Sequence, residues 1–285
     1  MTSVRCVVEA ADRLGEGPCW SPAESRLYWF DIKGKRLAWY HPRTRTRGAF
    51  ELPMRASAAT PRTAGGLLMA TEKGLVVFDA GEGTLEIVQP LELDPGFRTN
   101  DGKIDMDGNF WWSTMDDDGG KRPGVVYRTD KTLKTQKMLG GIHIPNTVSF
   151  SPDGRRLYMV DSKLQTIFVH DTADLAKVHV LADTRGGPAS PDGSAVDAEG
   201  CLWNAQWGGG RVVRYAPDGR VDRIVEMPVQ QPTSCAFGGD DFSTLYVTSA
   251  WDGLTPDARA SQPLAGGLFA FEAGVKGLEL PLFAG

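Results

Sequence analysis

Short apolar runs, each entered from a turn of Asp, Gly, Pro or Ser, recur along the whole chain. The clearest are Leu27-Tyr28-Trp29-Phe30-Asp31, Leu67-Leu68-Met69-Ala70-Thr71, Phe110-Trp111-Trp112-Ser113-Thr114, Leu157-Tyr158-Met159-Val160-Asp161, Leu202-Trp203-Asn204-Ala205-Gln206 and Leu245-Tyr246-Val247-Thr248-Ser249. Aromatic and β-branched side chains in runs of this length, bounded by turn residues, predict strands. The runs begin at 27, 67, 110, 157, 202 and 245, so they are spaced by 40, 43, 47, 45 and 43 residues. A second strand is predicted after a short turn at 36–40, 74–78, 125–127, 166–170 and 212–215, and after a longer insertion at 267–271. Some units close with a further strand, as at 85–88 and 221–225. Units of about 40–50 residues with four short strands are the mark of a β-propeller. A β-sandwich has no reason to keep such even spacing. An α/β fold would need a 3.6-residue period that no stretch sustains. The expectation is an all-β, six-bladed β-propeller, its four-stranded blades set around a central channel, as one domain over residues 1–285. A ring needs closing, and the segment at 6–9 is predicted to pair into the last sheet beside 267–271.

Composition supports this picture and narrows the function. The 34 Gly and 18 Pro residues are many for a chain of 285 and suit a fold built on turns. A formal net charge of −5 argues against nucleic acid or an anionic membrane as partner. No apolar stretch is long enough for a transmembrane helix, and the N-terminal residues carry no signal-peptide run. Cys6, Cys19, Cys201 and Cys235 form no C-x-x-C pair, so reduced, buried thiols and a cytoplasmic location are expected. A monomer is the expected state.

Ten or eleven residues before each repeat strand lie Glu16, Ser57, Asn100, Asn146, Asp192 and Ser234. In a propeller this phase falls on the innermost strand of each blade, so equivalent residues converge on the axis. Four of the six carry carboxylate or amide oxygens. An oxygen-only set suits a hard cation such as Ca²⁺, Mg²⁺ or Mn²⁺; Zn²⁺ or Fe²⁺ is less typical of it. Two carboxylates balance a divalent charge, and three or four protein ligands leave positions open for water or substrate. Each of these residues also sits beside Gly or Pro, where Asn and Asp serve as turn residues. No Gly-x-Ser-x-Gly elbow is present. His143 precedes Asn146 by three residues, which puts it near the mouth. The acidic run Asp116–Asp118 lacks the spacing of a calcium loop.

The same segments resemble the SMP-30/gluconolactonase/regucalcin family. They are Leu14-Gly15-Glu16-Gly17-Pro18, Arg98-Thr99-Asn100-Asp101-Gly102-Lys103, Asn146 before Ser151-Pro152-Asp153-Gly154, Pro191-Asp192-Gly193, Leu202-Trp203 with Trp207-Gly208-Gly209-Gly210-Arg211, and Gln262 to Phe269. The resemblance runs from about residue 10 to the C-terminus and is strongest to bacterial sugar-lactone lactonases. It implies one divalent metal on the axis of a six-bladed propeller, held by Glu16, Asn146 and Asp192. It also implies hydrolysis of a sugar 1,4- or 1,5-lactone, such as gluconolactone or xylonolactone, to the aldonic acid. Arg98 and Asn100 would contact the substrate. An acidic substrate contact would come from the loop Asp116, Asp117, Asp118, assigned here to Asp118.

A lactone is an ester, so its hydrolysis needs a polarised carbonyl and an activated water. Asp192 is the expected general base, Arg98 offers planar donors to sugar hydroxyls, and Trp207 either packs on the sugar or between blades. The competing expectations are a metal-dependent esterase or organophosphate hydrolase on the same fold, and a non-enzymatic calcium-binding propeller.

Overall fold

The computed structural model describes residues 3–285. Six antiparallel four-stranded sheets follow one another and close into a ring, a six-bladed β-propeller. The innermost strands of blades 1 to 6 are Gly15–Ser21, Ala56–Pro61, Phe97–Ile104, Pro145–Phe150, Ser190–Val196 and Pro232–Gly238. Each packs against the innermost strand of the next blade, and the sixth packs against the first.

The repeat runs occupy the second strands, Arg26–Asp31, Leu67–Thr71, Phe110–Asp116, Arg156–Asp161, Leu202–Trp207 and Thr244–Ser249. Their unbroken apolar character has a simple cause. Successive side chains on a strand leave opposite faces, and here both faces are covered by neighbouring blades. Leu27 and Trp29 pack toward blade 6, whereas Tyr28 and Phe30 pack toward blade 2. Leu157 and Met159 face blade 3, whereas Tyr158 and Val160 face blade 5. The core is therefore six wedges, one at each blade boundary. Buried carboxylates pin some of the tryptophans in these wedges, as in Trp111 Nε1 to Asp105 at 2.7 Å and Trp203 Nε1 to Asp197 at 2.8 Å.

The expected closure is present. Strand Arg5–Val8 forms the outer edge of blade 6, with Cys6 opposite Phe269 of strand Leu268–Glu272. The longer insertion before that strand holds a short helix, Pro256–Ala260, with Thr255 accepting a hydrogen bond from the Ala258 amide and Pro in the first turn. All four thiols are free; Cys201 and Cys235 are buried, Cys6 and Cys19 only partly. Among the described residues, no helix is long and apolar enough to cross a membrane.

One feature had no periodic signal. After the last strand, the chain crosses the end of the channel remote from Glu16 and Asp192. It bridges Gly277 to Asp197 and Phe283 to Arg62, and there it covers a cavity of about 80 Å³.

Candidate active site

Every innermost strand breaks its ladder at the same place. The register slips between Glu16 and Cys19, Ala56 and Ala58, Thr99 and Gly102, Asn146 and Ser149, Pro191 and Ser194, and Pro232 and Cys235. A bulge re-aims the side chains beside it. Glu16, Asn100, Asn146 and Asp192 thereby line one cavity of about 560 Å³ at one mouth of the channel, with Arg98 beside them. All five are nearly buried, at 6–8 % exposed. Ser57 and Ser234 lie outside the cavity: Ser57 Oγ donates to the Asn100 carbonyl at 2.5 Å, and Ser234 packs so closely on Gly193 that a Cβ there would fall 2.1 Å from its hydroxyl.

The hydrogen bonds fix how each amide is turned. Asn146 Nδ2 donates to Ser162 Oγ at 2.9 Å, and that hydroxyl donates on to the Pro191 carbonyl at 2.8 Å. The Asn146 Oδ1 atom then accepts from Asn100 Nδ2 at 2.8 Å and keeps a second lone pair. Asn100 Oδ1 accepts from Arg98 Nη1 at 2.7 Å. Arg98 Nε reaches Asp117 Oδ1 at 2.8 Å, while Nη2 has no protein acceptor among the described residues. Arg55 grips the other oxygen of Asp117 at 2.7 Å.

The two axial carboxylates are the unbalanced part of the site. Among the described residues, neither Glu16 nor Asp192 has a cationic side chain within 4.0 Å, and no side chain donates to either. Burial, and then the nearby Asp101, push the Glu16 carboxyl up to about 8. Asp192 is pushed well above the ordinary range by burial, then by Glu16 and Asp101. Burial holds the Arg98 and Lys103 cations below their usual values. Arg98 and Lys103 act on this pair only from beyond contact distance, so two buried carboxylates here are costly unless something positive joins them directly. With the free lone pair of Asn146 Oδ1 they make an oxygen-only donor set, which fits a hard divalent cation. The set contains only two carboxylates; among the described residues, no group of three His, Cys, Asp or Glu side chains is arranged to hold a metal.

Asp118 does not join these residues. Its side chain is 74 % exposed and pairs with Lys121 at 2.6 Å on the outer surface. Asp117, one residue earlier, lines the cavity instead. The turn after strand Phe110–Asp116 ties Asp116 to Arg122, so the chain presents Asp117 inward. His143 sits behind the wall, its amide and ring nitrogen both directed at Asp161. Trp207 lines the cavity and also packs on the wedge between blades 1 and 2. Several residues were missed from sequence. Lys103, half-buried, carries its ammonium inward and donates to the Ser194 carbonyl. Lys33 and Asp252 form a 2.6 Å ion pair on the cavity wall. Lys103 lies three residues beyond Asn100 on the same strand, a spacing that was available in the sequence; Lys33 and Asp252 had no such signal.

A cluster of carboxylate and amide oxygens at one mouth of a six-bladed ring defines a β-propeller with a polar axial cavity. The chain belongs to the SMP-30/gluconolactonase family: the family model described as the SMP-30/Gluconolactonase/LRE-like region matches residues 14–251. It is 35 % identical to the 6-deoxy-6-sulfogluconolactonase of Pseudomonas putida over 99 % of both chains. It is 38 % identical to the L-arabinolactonase of Azospirillum brasilense, over 98 % of this chain and 95 % of that one. Among solved structures it is similar to a calcium-binding protein, regucalcin, from Agrobacterium tumefaciens, with a TM-score of 0.94 and 36 % identity, covering 99 % of this chain and 97 % of that one.

Proposed function

We propose that this protein hydrolyses a sugar lactone to its aldonic acid, with a divalent cation held by Glu16, Asn146 and Asp192. The observation that carries this reading is the pair of buried carboxylates, neither in contact with a cationic side chain among the described residues, that share with Asn146 a cavity of sugar size. The lactonase names borne by full-length relatives support it. A cation held there supplies Lewis-acid polarisation of a lactone carbonyl and makes water more acidic.

The protein's own groups do the rest. Asp192 takes a proton from the water that attacks the carbonyl carbon. As the ring C–O bond breaks, that proton passes to the departing alkoxide, which leaves as a sugar hydroxyl. Arg98 donates from Nη2 to a hydroxyl of the bound sugar, and Asp117 and Asn100 hold the guanidinium in place. Trp207 packs against the apolar face of the ring.

The test is an assay on gluconolactone, xylonolactone and an aryl ester after chelation and return of single divalent metals, repeated with Asp192→Ala. Lactone turnover that needs metal and is lost in the variant is expected. If the metal-loaded protein hydrolyses no lactone above the spontaneous rate, the reading fails. Turnover of the aryl ester alone would point to a different esterase, and cation binding without turnover to a non-enzymatic propeller.

A further inference from the structure

Thr147 stands out among the described residues as the only β-branched side chain at positive φ, 56°. The other non-glycine residues with positive φ lie outside strands, whereas Thr147 is fully buried within the innermost strand of blade 4. A β-branched residue is a true outlier in the left-handed region. Blade 1 meets the same need differently. There Gly17 follows Glu16 as Thr147 follows Asn146, and its φ is 57°. Glycine adopts that conformation without steric cost. The backbone of the bulge therefore asks only for glycine, and what threonine adds is a hydroxyl.

That hydroxyl crosses the blade boundary. Thr147 Oγ1 donates to the Asp192 carbonyl and lies 2.8 Å from Ser194 Oγ. Asn204 Nδ2 holds the same carbonyl from within blade 5 at 2.9 Å and also reaches Ser194 Oγ at 2.9 Å. Two other blades use the same device without strain. Ser57 Oγ donates to the Asn100 carbonyl at 2.5 Å, and Thr233 Oγ1 donates to the Gly15 carbonyl, just before Glu16, at 2.6 Å. Hydroxyls from blades 2, 4 and 6 thus hold the peptides that carry Asn100, Asp192 and Glu16. Only at Thr147 does one residue both continue from a candidate ligand, Asn146, and grip another, Asp192.

We infer that Thr147 is a positioning residue. Its left-handed backbone sets the Asn146 amide, and its hydroxyl fixes the peptide of Asp192, so the two groups keep one relative placement across the boundary between blades 4 and 5. Strain in a buried strand is retained because it is tied to the site. This inference rests on the roles proposed above for Asn146 and Asp192.

The test compares Thr147→Gly, which relieves the backbone and removes the hydroxyl, with Thr147→Ser, which restores the hydroxyl. Thr147→Gly is expected to keep or raise Tm while kcat on gluconolactone falls about tenfold to a hundredfold at nearly constant KM. The calorimetric Kd for added Ca²⁺ or Mn²⁺ is expected to rise by about tenfold or more, because a ligand peptide has lost its anchor. Thr147→Ser should recover most of both losses. Wild-type kcat and Kd in Thr147→Gly, or a lowered Tm with kcat intact, would overturn the inference. If the wild type hydrolyses no lactone, crystal structures of both proteins still decide it: a displaced Asp192 carboxylate in Thr147→Gly supports positioning, and an unmoved one refutes it.

Discussion

Arg98 Nε lies 2.8 Å from Asp117 Oδ1, and this pair, rather than Asp118, sets the donor wall of the cavity. Arg98 is nearly buried and Asp117 is only partly exposed, so the contact is shielded from solvent. Burial alone would raise the Asp117 carboxyl, but Arg55 and Arg98 together hold it below the usual range. Asp117→Asn removes the charge that aligns the guanidinium. A loss of about 1.5 kcal/mol corresponds to about a tenfold rise in KM for the lactone. Asp118→Asn, on the outer surface, should change KM by no more than about twofold. Steady-state kinetics on both variants separates the two aspartates; equal effects would show that the pair does not orient Arg98.

The axial carboxylates predict how stability depends on pH. Glu16 titrates near 4.5 when unfolded and is pushed up to about 8 in the fold by burial and Asp101; Asp192 moves in the same direction. Between those values the folded protein holds protons that the unfolded chain has released, so without added metal its stability falls as pH rises from about 4.5 to about 8. Asp12, raised by burial to about 6, adds the same sign but lower in the range. Lys103, lowered by burial, acts in the opposite sense, so the slope is best read against Glu16→Gln. Thermal melts in chelator should show Tm falling from pH 6.5 to pH 8, with a flatter course in Glu16→Gln. A divalent cation held as proposed would need the pair deprotonated, so the Tm gain on adding it should be larger at pH 8 than at pH 6.5. Equal gains at both would count against the pair as its ligands.

The ring was readable because its cause is local. Residues such as Tyr28 and Trp29 enter opposite wedges, and burial of both faces writes an unbroken apolar run once per blade. The axial phase was readable because the six bulges recur at a fixed distance before those runs. What escaped depends on contacts between blades or on backbone torsion. The choice of Asp117 over Asp118 follows from the turn that Asp116 and Arg122 close. The left-handed Thr147 has no compositional mark, since threonine is an ordinary strand residue. Lys103 reads as one more surface lysine until the ring turns its ammonium inward onto the Ser194 carbonyl.

Strand Arg5–Val8 holds the ring shut, and Val8 is its buried anchor in the wedge between blades 6 and 1. Val8→Asp places an unpaired carboxylate there, at a cost on the order of 3 kcal/mol. For a chain of this size Tm should fall by roughly 5–10 °C. The strand lies at the outer edge of its blade, so lactone kcat at 25 °C should stay within about twofold. Calorimetry and kinetics on one preparation check both halves. An unchanged Tm would mean that the ring does not depend on this strand for closure.

Phe283 makes the C-terminal crossing part of the core. It is fully buried with Leu68, Phe110 and Trp112 in the wedge between blades 2 and 3. Its backbone is tied on both sides, with Phe283 N–H to the Pro61 carbonyl and Thr63 N–H to the Phe283 carbonyl, each at 2.9 Å. Truncating a buried phenylalanine costs about 3–5 kcal/mol, so Phe283→Ala should lower Tm by roughly 10 °C. The loss should not be confined to the tail, because the side chain fills a space shared by two blades. Hydrogen exchange is expected to quicken in strands Leu67–Thr71 and Phe110–Asp116 as well as at Gly277–Phe283. Faster exchange at Gly277–Phe283 alone, with Tm unchanged, would instead identify the crossing as a detachable strap that adds nothing to the stability of the ring.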